Sequence, residues 1–230
     1  MASRLLFAGR TLGRSVLVVP RARVNPSAVR FFSATDDLVS LLAREHAEEQ
    51  ANETTMVPPE LSDLKSQLQQ EWKIVDDSAM TRMYKSVGST KIQLSFHCQD
   101  SVENVYDDEE EEGIGGDEAS APIKFTVTAS KAGKTLVLTC LSEDATVRVQ
   151  SVAMSNRDIE ALQADGLSED DYQGPEFEEL ADDLQDAFHA YLEDDLGIAE
   201  DVASFVAMYA DYKEQKEYVD FLEGAKSLLS

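Results

Sequence analysis

The residues of this sequence that could do chemistry are overwhelmingly carboxylates. Aspartate and glutamate number 45 among 230 residues, against 20 lysines and arginines and three histidines. The histidines are far apart, at His46, His97 and His189, so no group of side chains has the spacing of a zinc site. No serine or cysteine lies in a recognisable nucleophile motif. The sequence therefore predicts that the protein is not an enzyme and has no cofactor or dedicated metal site.

Two short segments resemble ligand-binding loops but do not complete the motifs. The tripeptide 133–135 (GKT) resembles the end of a phosphate-binding loop, but that motif needs a glycine where Thr128 stands and must lead into a helix. An EF-hand loop begun at Asp108 would place Gly113 correctly, but Ala119 would stand where glutamate is needed. A hairpin turn and a solvated acidic loop explain the two segments.

The densest run of acids lies at residues 107–118 (DDEEEEGIGGDE), where eight of the twelve residues are acidic. Such a composition cannot bury apolar surface, so it predicts a disordered loop between two strands. A solvated loop is the usual meaning of such a run, and loose condensation of cations is an alternative. The candidate partner-binding residues in it are Asp107, Asp108, Glu109, Glu110, Glu111 and Glu112.

A second acidic surface is predicted on a helix near the C-terminus. On a helical wheel, four acids fall opposite an apolar stripe: Glu178, Asp182, Asp186 and Glu193. The pairs 178/182 and 182/186 would be like-charge neighbours, each destabilising a helix by about 0.2–0.5 kcal/mol. A sequence selected only for stability would more often place a lysine there. The face serves either solubility or the binding of cations or basic partners.

The elements that must position these acids follow from hydrophobic periodicity. Helical spacing predicts helices over 36–49, with Asp36 or Asp37 as N-cap, and over 60–70, 175–196 and 202–229. Between them, a strand is predicted to begin at 72–75, and period-two alternation predicts further strands around 91–98, 123–127, 136–140 and 147–151. Turn residues at 131–134 and 143–144 join the last three strands. The predicted class is α+β, with an antiparallel meander.

The first 35 residues have the opposite charge from the rest. They contain six arginines and no acid, which is typical of a mitochondrial transit peptide, here predicted to span 1–32. The alternative is a basic tail. The remaining 14 basic residues face 45 acids, a net charge of −31 on a single domain spanning 36–230. This charge disfavours nucleic acids and anionic membranes as direct partners and favours basic proteins and cations. No apolar run approaches the roughly 18 residues of a membrane span.

The two cysteines, Cys98 and Cys140, each lie in an apolar alternating run. Because the mitochondrial matrix is reducing, we expect buried thiols and no disulfide between them.

With these elements in place, the chain resembles the mitochondrial acidic matrix protein family. This family is also called the mitochondrial glycoprotein family and includes the complement globular-head-binding protein. The strongest match is 172–177 (YQGPEF), and it continues through 179–192, 197–198 and 205–226. Residues 72–75 (WKIV) resemble the family's first strand. Leu196 stands where the family often has an arginine.

The resemblance implies a highly twisted antiparallel sheet of about seven strands, flanked by N- and C-terminal helices. It implies that three subunits form a homotrimeric ring. The implied function is a non-enzymatic scaffold or chaperone-like binder of basic matrix proteins, mitochondrial ribosomal proteins among them. Such a protein would support mitochondrial ribosome function, translation and oxidative phosphorylation, and would contact RNA only indirectly or weakly. A cation-buffering protein and an enzyme with an unrecognised carboxylate site stay open as alternatives.

Overall fold

In a computed structural model of the protein, the described residues are 33–51, 56–102, 121–143, 145–162, 167 and 170–230. The predicted transit peptide (1–32) and the predicted acidic loop (107–118) both lie outside them.

The described elements follow one another in three blocks. Two helices come first: α1 (Ala34–Ala51) and α2 (Pro59–Leu68). Six strands follow: β1 (Lys73–Asp77), β2 (Met80–Val87), β3 (Thr90–Ser101), β4 (Ile123–Lys131), β5 (Lys134–Glu143) and β6 (Thr146–Ser155). The last block holds a 3₁₀ turn (Phe177–Glu179), α3 (Asp182–Ala190), a π-helical turn (Tyr191–Asp195) and α4 (Glu200–Leu229). This order confirms the α+β class.

The six strands form one antiparallel sheet in which each strand pairs with its neighbours in sequence, from β1 to β6. The predicted meander is therefore confirmed, although β2 was not predicted. The resemblance implied about seven strands, and the described residues form six. On the outer side of β6, the described residues add one isolated bridge, between Ser151 and Glu176.

One face of the sheet carries the core. A row of paired residues crosses five strands, and all of them are buried: Met83, Leu94, Val127, Leu138 and Val152. Helix α4 covers this face with Val202, Phe205 and Tyr209, at most 5% exposed. The rings of Phe205 and Tyr209 stack, with their centroids 4.8 Å apart. Burying each large apolar side chain contributes about 1.5–3 kcal/mol, so α4 holds much of the stability of the domain.

A β-bulge corrects the predicted pattern of β6. The register between β5 and β6 shifts between Thr139 and Cys140, and Gln150 is left without a partner in the ladder. Because a bulge inserts one residue into the alternation, Val152 pairs with Leu138 in the apolar row and Ser151 pairs with Thr139. The prediction that Ser151 continues the apolar alternation of 147 and 149 is wrong for this reason.

Helix α1 begins earlier than predicted and turns a different face inward. The Ser33 and Asp36 side chains each accept a hydrogen bond from the other residue's backbone N–H, at 3.1 and 3.0 Å. This is a capping box, so the N-cap is Ser33, and the predicted cap at Asp36 or Asp37 is wrong. Helical spacing predicts an inward stripe of Leu38, Leu41, Leu42 and Glu45. This stripe is wrong in part, because Leu38 and Leu41 are 46% and 52% exposed while His46 is buried.

The predicted helix over 175–196 is broken in the structure. Leu180 and Ala181 adopt extended backbone between the 3₁₀ turn and α3, and the chain widens into a π-helical turn after Ala190. The strongest family motif, 172–177, lies just before this break. Within it, Gly174 packs so closely on β6 that a Cβ would lie 2.0 Å from the carbonyl oxygen of Val152. The glycine is therefore a packing requirement of the fold.

Cys98 and Cys140 are both buried free thiols, which confirms the prediction for them. Burial raises the pKa of both, so neither is a reactive thiolate. In the part of the chain that the structure describes, no helix is both long and apolar enough to cross a membrane.

Candidate functional site

The acidic surface that the sequence predicts near the C-terminus lies on residues 176–195, which we call the acidic segment. It comprises the 3₁₀ turn, α3 and the π-helical turn. Nine of its twenty residues are acids and none is lysine or arginine. All nine acids are exposed: Glu176, Glu178, Glu179, Asp182, Asp183, Asp186, Glu193, Asp194 and Asp195.

No side chain among these nine acids forms an ion pair with any residue that the structure describes. The ion pairs of the described residues lie elsewhere, such as Arg82 with Asp77 and Arg148 with Glu143. The acidic segment therefore presents a concentrated field of one sign to solvent. Exposed charges of this kind attract oppositely charged partners over about a Debye length, roughly 8 Å at physiological ionic strength.

The four predicted site residues of this surface are all exposed, but they do not share one helix. Glu178 lies in the 3₁₀ turn, Asp182 and Asp186 lie on α3, and Glu193 lies in the π-helical turn. The pair 182/186 keeps its helical i, i+4 spacing. The pair 178/182 does not, because extended backbone separates the two residues, so the repulsion predicted between them is wrong. The predicted acids at 107–112 lie outside the described residues.

A hollow of about 440 Å³ adjoins the acidic segment. Its apolar lining comes from Val147 on β6, Leu192 and Ile198, and its acids are Glu193 and Glu200. The imidazole of His189 also faces it. An apolar wall beside carboxylates suits the aliphatic stem and charged head of a lysine or arginine.

A second cluster of charged groups, which the sequence analysis missed, lies under α4. The Lys213 ammonium is buried and donates to the Asp76 carboxylate at 2.9 Å, to the Met80 carbonyl at 2.8 Å and to the Thr81 hydroxyl at 2.9 Å. The Tyr209 hydroxyl donates to the other Asp76 oxygen at 2.7 Å. We call these groups, together with Lys65, the Asp76 cluster.

Lys65 joins the cluster from α2. Its ammonium donates to the Tyr209 hydroxyl at 2.8 Å and lies 4.0 Å from the Asp76 carboxylate. Burial lowers the pKa of Lys65, and the nearby Lys213 and Lys216 charges lower it further, although Asp76 acts in the opposite direction. Burial alone would raise the pKa of Asp76, but hydrogen bonds from Tyr209, Lys213 and the Thr81 hydroxyl outweigh it and lower that pKa. The cluster thus keeps Asp76 ionised.

The sequence carried only a weak signal for this cluster. Asp76 and Lys213 are separated by 137 positions, so no local spacing relates them. Lys213 also lies in the run 213–217 (KEQKE), which has the composition of a solvated helix face. The available signal was the apolar stripe on α4: position 213 follows Tyr209 by one helical turn and so falls on the buried face.

Comparisons with known proteins agree with the resemblance seen in the sequence. Residues 42–229 match the family described as MAM33, mitochondrial glycoprotein. Over 110 residues the chain is 36% identical to the mitochondrial acidic protein mam33 of Schizosaccharomyces pombe. That alignment covers 45% of this chain and 40% of the relative, so the chain spans less than half the length of the curated relative it matches.

Two solved structures share the fold. A Leishmania major protein, described as of unknown function and a sequence homologue of human p32 protein, superposes with a TM-score of 0.63 at 19% identity. The match covers 86% of this chain and 100% of that one. The Trypanosoma brucei p22 protein superposes with a TM-score of 0.61 at 21% identity, covering 85% of this chain and 98% of that one.

Proposed function

This chain belongs to the mitochondrial glycoprotein family, and from that membership we propose that it is a non-enzymatic acidic binder of basic proteins in the mitochondrial matrix. Its mitochondrial location follows from the family and from the mitochondrial acidic protein it resembles. We propose that its partners include basic ribosomal proteins, and that by holding them it acts as a scaffold or chaperone in mitochondrial translation and respiratory-chain maintenance.

One observation carries the proposal: nine exposed acids in twenty residues form no ion pair with the described residues. A domain that needed charge only for solubility would gain as much from dispersed acids and would avoid the like-charge pair at 182 and 186. Concentrated exposed charge of one sign instead raises the association rate of an oppositely charged partner. In the hollow beside Glu193, the partly exposed Val147 offers apolar contact for the stem of a basic side chain, with the buried Leu192 and Ile198 behind it.

The experiment measures binding of the folded protein to a purified basic mitochondrial ribosomal protein at several salt concentrations. The test variant neutralises four acids of the acidic segment: Glu178→Gln, Asp182→Asn, Asp186→Asn and Glu193→Gln. The matched control neutralises four exposed acids on other surfaces: Asp37→Asn, Glu60→Gln, Asp63→Asn and Glu223→Gln. Both variants lose the same net charge, so only the position of the lost charge differs.

We expect the test variant to associate about tenfold more slowly at low salt, because steering acts mainly on the association rate. The control should stay within about twofold of the unchanged protein, and added salt should erase the difference between the variants. Equal slowing in both variants would show that net charge alone matters. Full-rate, salt-independent association of the test variant would reduce the acidic segment to a solubilising surface.

We also propose that the protein assembles with itself as the homotrimer that the resemblance implies. Leu184 on α3 is 44% exposed and Phe188 is half-buried. A neighbouring subunit that packs on this apolar surface would cover both.

A further inference from the structure

The Asp76 cluster opens onto a cavity of about 490 Å³ between α2 and α4. The charged residues that line it are Lys65, Lys213, Lys216, Asp76 and Glu217. Three cations face two carboxylates, so the cavity is locally positive. This local charge is opposite in sign to that of the domain, whose 14 basic residues are outnumbered by 45 acids.

The carboxylate inside the cavity is already satisfied. Asp76 accepts hydrogen bonds from Tyr209 at 2.7 Å, from Lys213 at 2.9 Å and from the Thr81 hydroxyl at 3.0 Å. Lys213 is satisfied as well, since its three donors reach Asp76, Met80 and Thr81. Asp76 and Lys213 therefore direct their hydrogen bonds to each other and to their neighbours, although the Asp76 side chain stays 44% exposed.

The other two lysines have donors to spare. Lys65 makes one hydrogen bond, to Tyr209, and lies 4.0 Å from Asp76, so at least one of its three N–H groups is free. Lys216 forms no hydrogen bond or ion pair with the residues that the structure describes. Both ammonium groups line the same cavity, so their positive charges repel each other, and an anion bound between them would offset this repulsion.

We propose that this cavity is a binding site for a phosphate group, held between the Lys65 and Lys216 ammonium groups. Glu217 offsets part of the positive charge of the cavity, so the choice of a phosphate rests on the number of donors: several groups around one cavity suit the several oxygens of a tetrahedral anion better than the two oxygens of a carboxylate. The Ser62 and Tyr212 hydroxyls line the same cavity and can donate to further oxygens of a tetrahedral anion. The volume holds either inorganic phosphate or the phosphate end of a small phosphomonoester. The site is separate from the acidic segment, so it does not depend on the binding of basic proteins.

The test titrates the folded protein with inorganic phosphate at constant ionic strength and follows the phosphorus NMR linewidth of the ligand. Glycerol phosphate is the second probe, to separate a preference for the free ion from one for a phosphomonoester. The decisive variant is Lys216→Gln, because Lys216 is exposed and its loss breaks no contact with the described residues. Lys65→Gln is the second variant, and the control is Lys226→Gln, a lysine of α4 that does not line the cavity.

We expect saturable broadening with the unchanged protein and with the control, and at least about tenfold weaker binding in each test variant, since each removes one of two charge-assisted contacts. Tighter binding of glycerol phosphate would assign the site to a phosphomonoester, and tighter binding of inorganic phosphate would assign it to the free ion. Absence of saturable broadening in the unchanged protein, or equal binding by Lys216→Gln and the control, would overturn the proposal. Circular dichroism checks that each variant is folded.

Discussion

Replacing Gly174 with alanine should destabilise the protein strongly, because two separate costs meet at that residue. Its φ is +86°, where an L side chain is strained by about 1–2 kcal/mol. The added Cβ would also lie 2.0 Å from the Val152 carbonyl oxygen and 2.8 Å from its carbon. Both atoms are backbone of β6, so relief requires the strand to move, and overpacking of this kind costs about 1–3 kcal/mol.

The two costs together predict a loss of about 2–5 kcal/mol in the free energy of unfolding. For a domain of this size, each kcal/mol corresponds to about 2–4 °C in Tm, so the Tm should fall by about 4–20 °C. The control is Gly88→Ala, since Gly88 also has a positive φ of +59° but a Cβ there meets nothing within 4 Å. That variant should lose only about 1–2 kcal/mol. The measurement is thermal and urea unfolding followed by circular dichroism.

Equal destabilisation of the two variants would refute the reasoning, because it would leave the close approach to β6 without an energetic effect. A Gly174→Ala protein with an unchanged urea midpoint would do so as well. Either result would reopen a direct binding role for the motif 172–177, which we interpret as a packing motif.

Three further predictions concern other parts of the chain. Asp76→Asn should lower stability at pH 7 by about 1–3 kcal/mol, allowing for the partial exposure of Asp76. Because hydrogen bonds hold the folded pKa of Asp76 below its usual 3.8, its contribution is complete above about pH 3.8 and is lost only as the pH falls through the lower folded value. The thermal melts of the two proteins should therefore differ at pH 7 and begin to converge once the pH falls below about 3.8. Phe188→Asp should abolish the proposed trimer in light scattering, and a folded variant of unchanged trimeric mass would contradict the assembly. Exchanging Arg4, Arg10 and Arg14 for glutamate should prevent import into isolated mitochondria, whereas normal accumulation would exclude a transit peptide.

The strands of the sheet centre and the last helix could be predicted because their periodicity is strong. In β3 the residues Ile92, Leu94 and Phe96 alternate with polar ones and are all buried. Strand β2 was not predicted, because the run 80–87 (MTRMYKSV) places large polar residues on both faces of the strand. One of these is Arg82, whose guanidinium is held by Asp77. Cross-strand contacts such as this one, between β1 and β2, override the local pattern.

The candidate sites differ in the same way: one depends on the local sequence, and the other depends on contacts between distant elements. Exposed acids could be predicted because charge density is a property of the sequence itself. The Asp76 cluster could not, since its members come from α2, β1, β2 and α4 and meet only when α4 packs on the sheet. The break in the helix at Leu180 and Ala181 could not be predicted either, because both residue types are compatible with a helix.

The position of α4 in the chain has a consequence for the order of folding. All six strands precede it, and each pairs with a neighbour in sequence, so in a chain delivered from its N-terminus the sheet can assemble before α4 arrives. Its apolar face nevertheless stays exposed to water until Val202, Phe205 and Tyr209 cover it. During that interval the incompletely folded protein exposes an aggregation-prone surface. A chain interrupted anywhere before residue 200 would keep that surface permanently, and we expect such fragments to be held by chaperones or degraded.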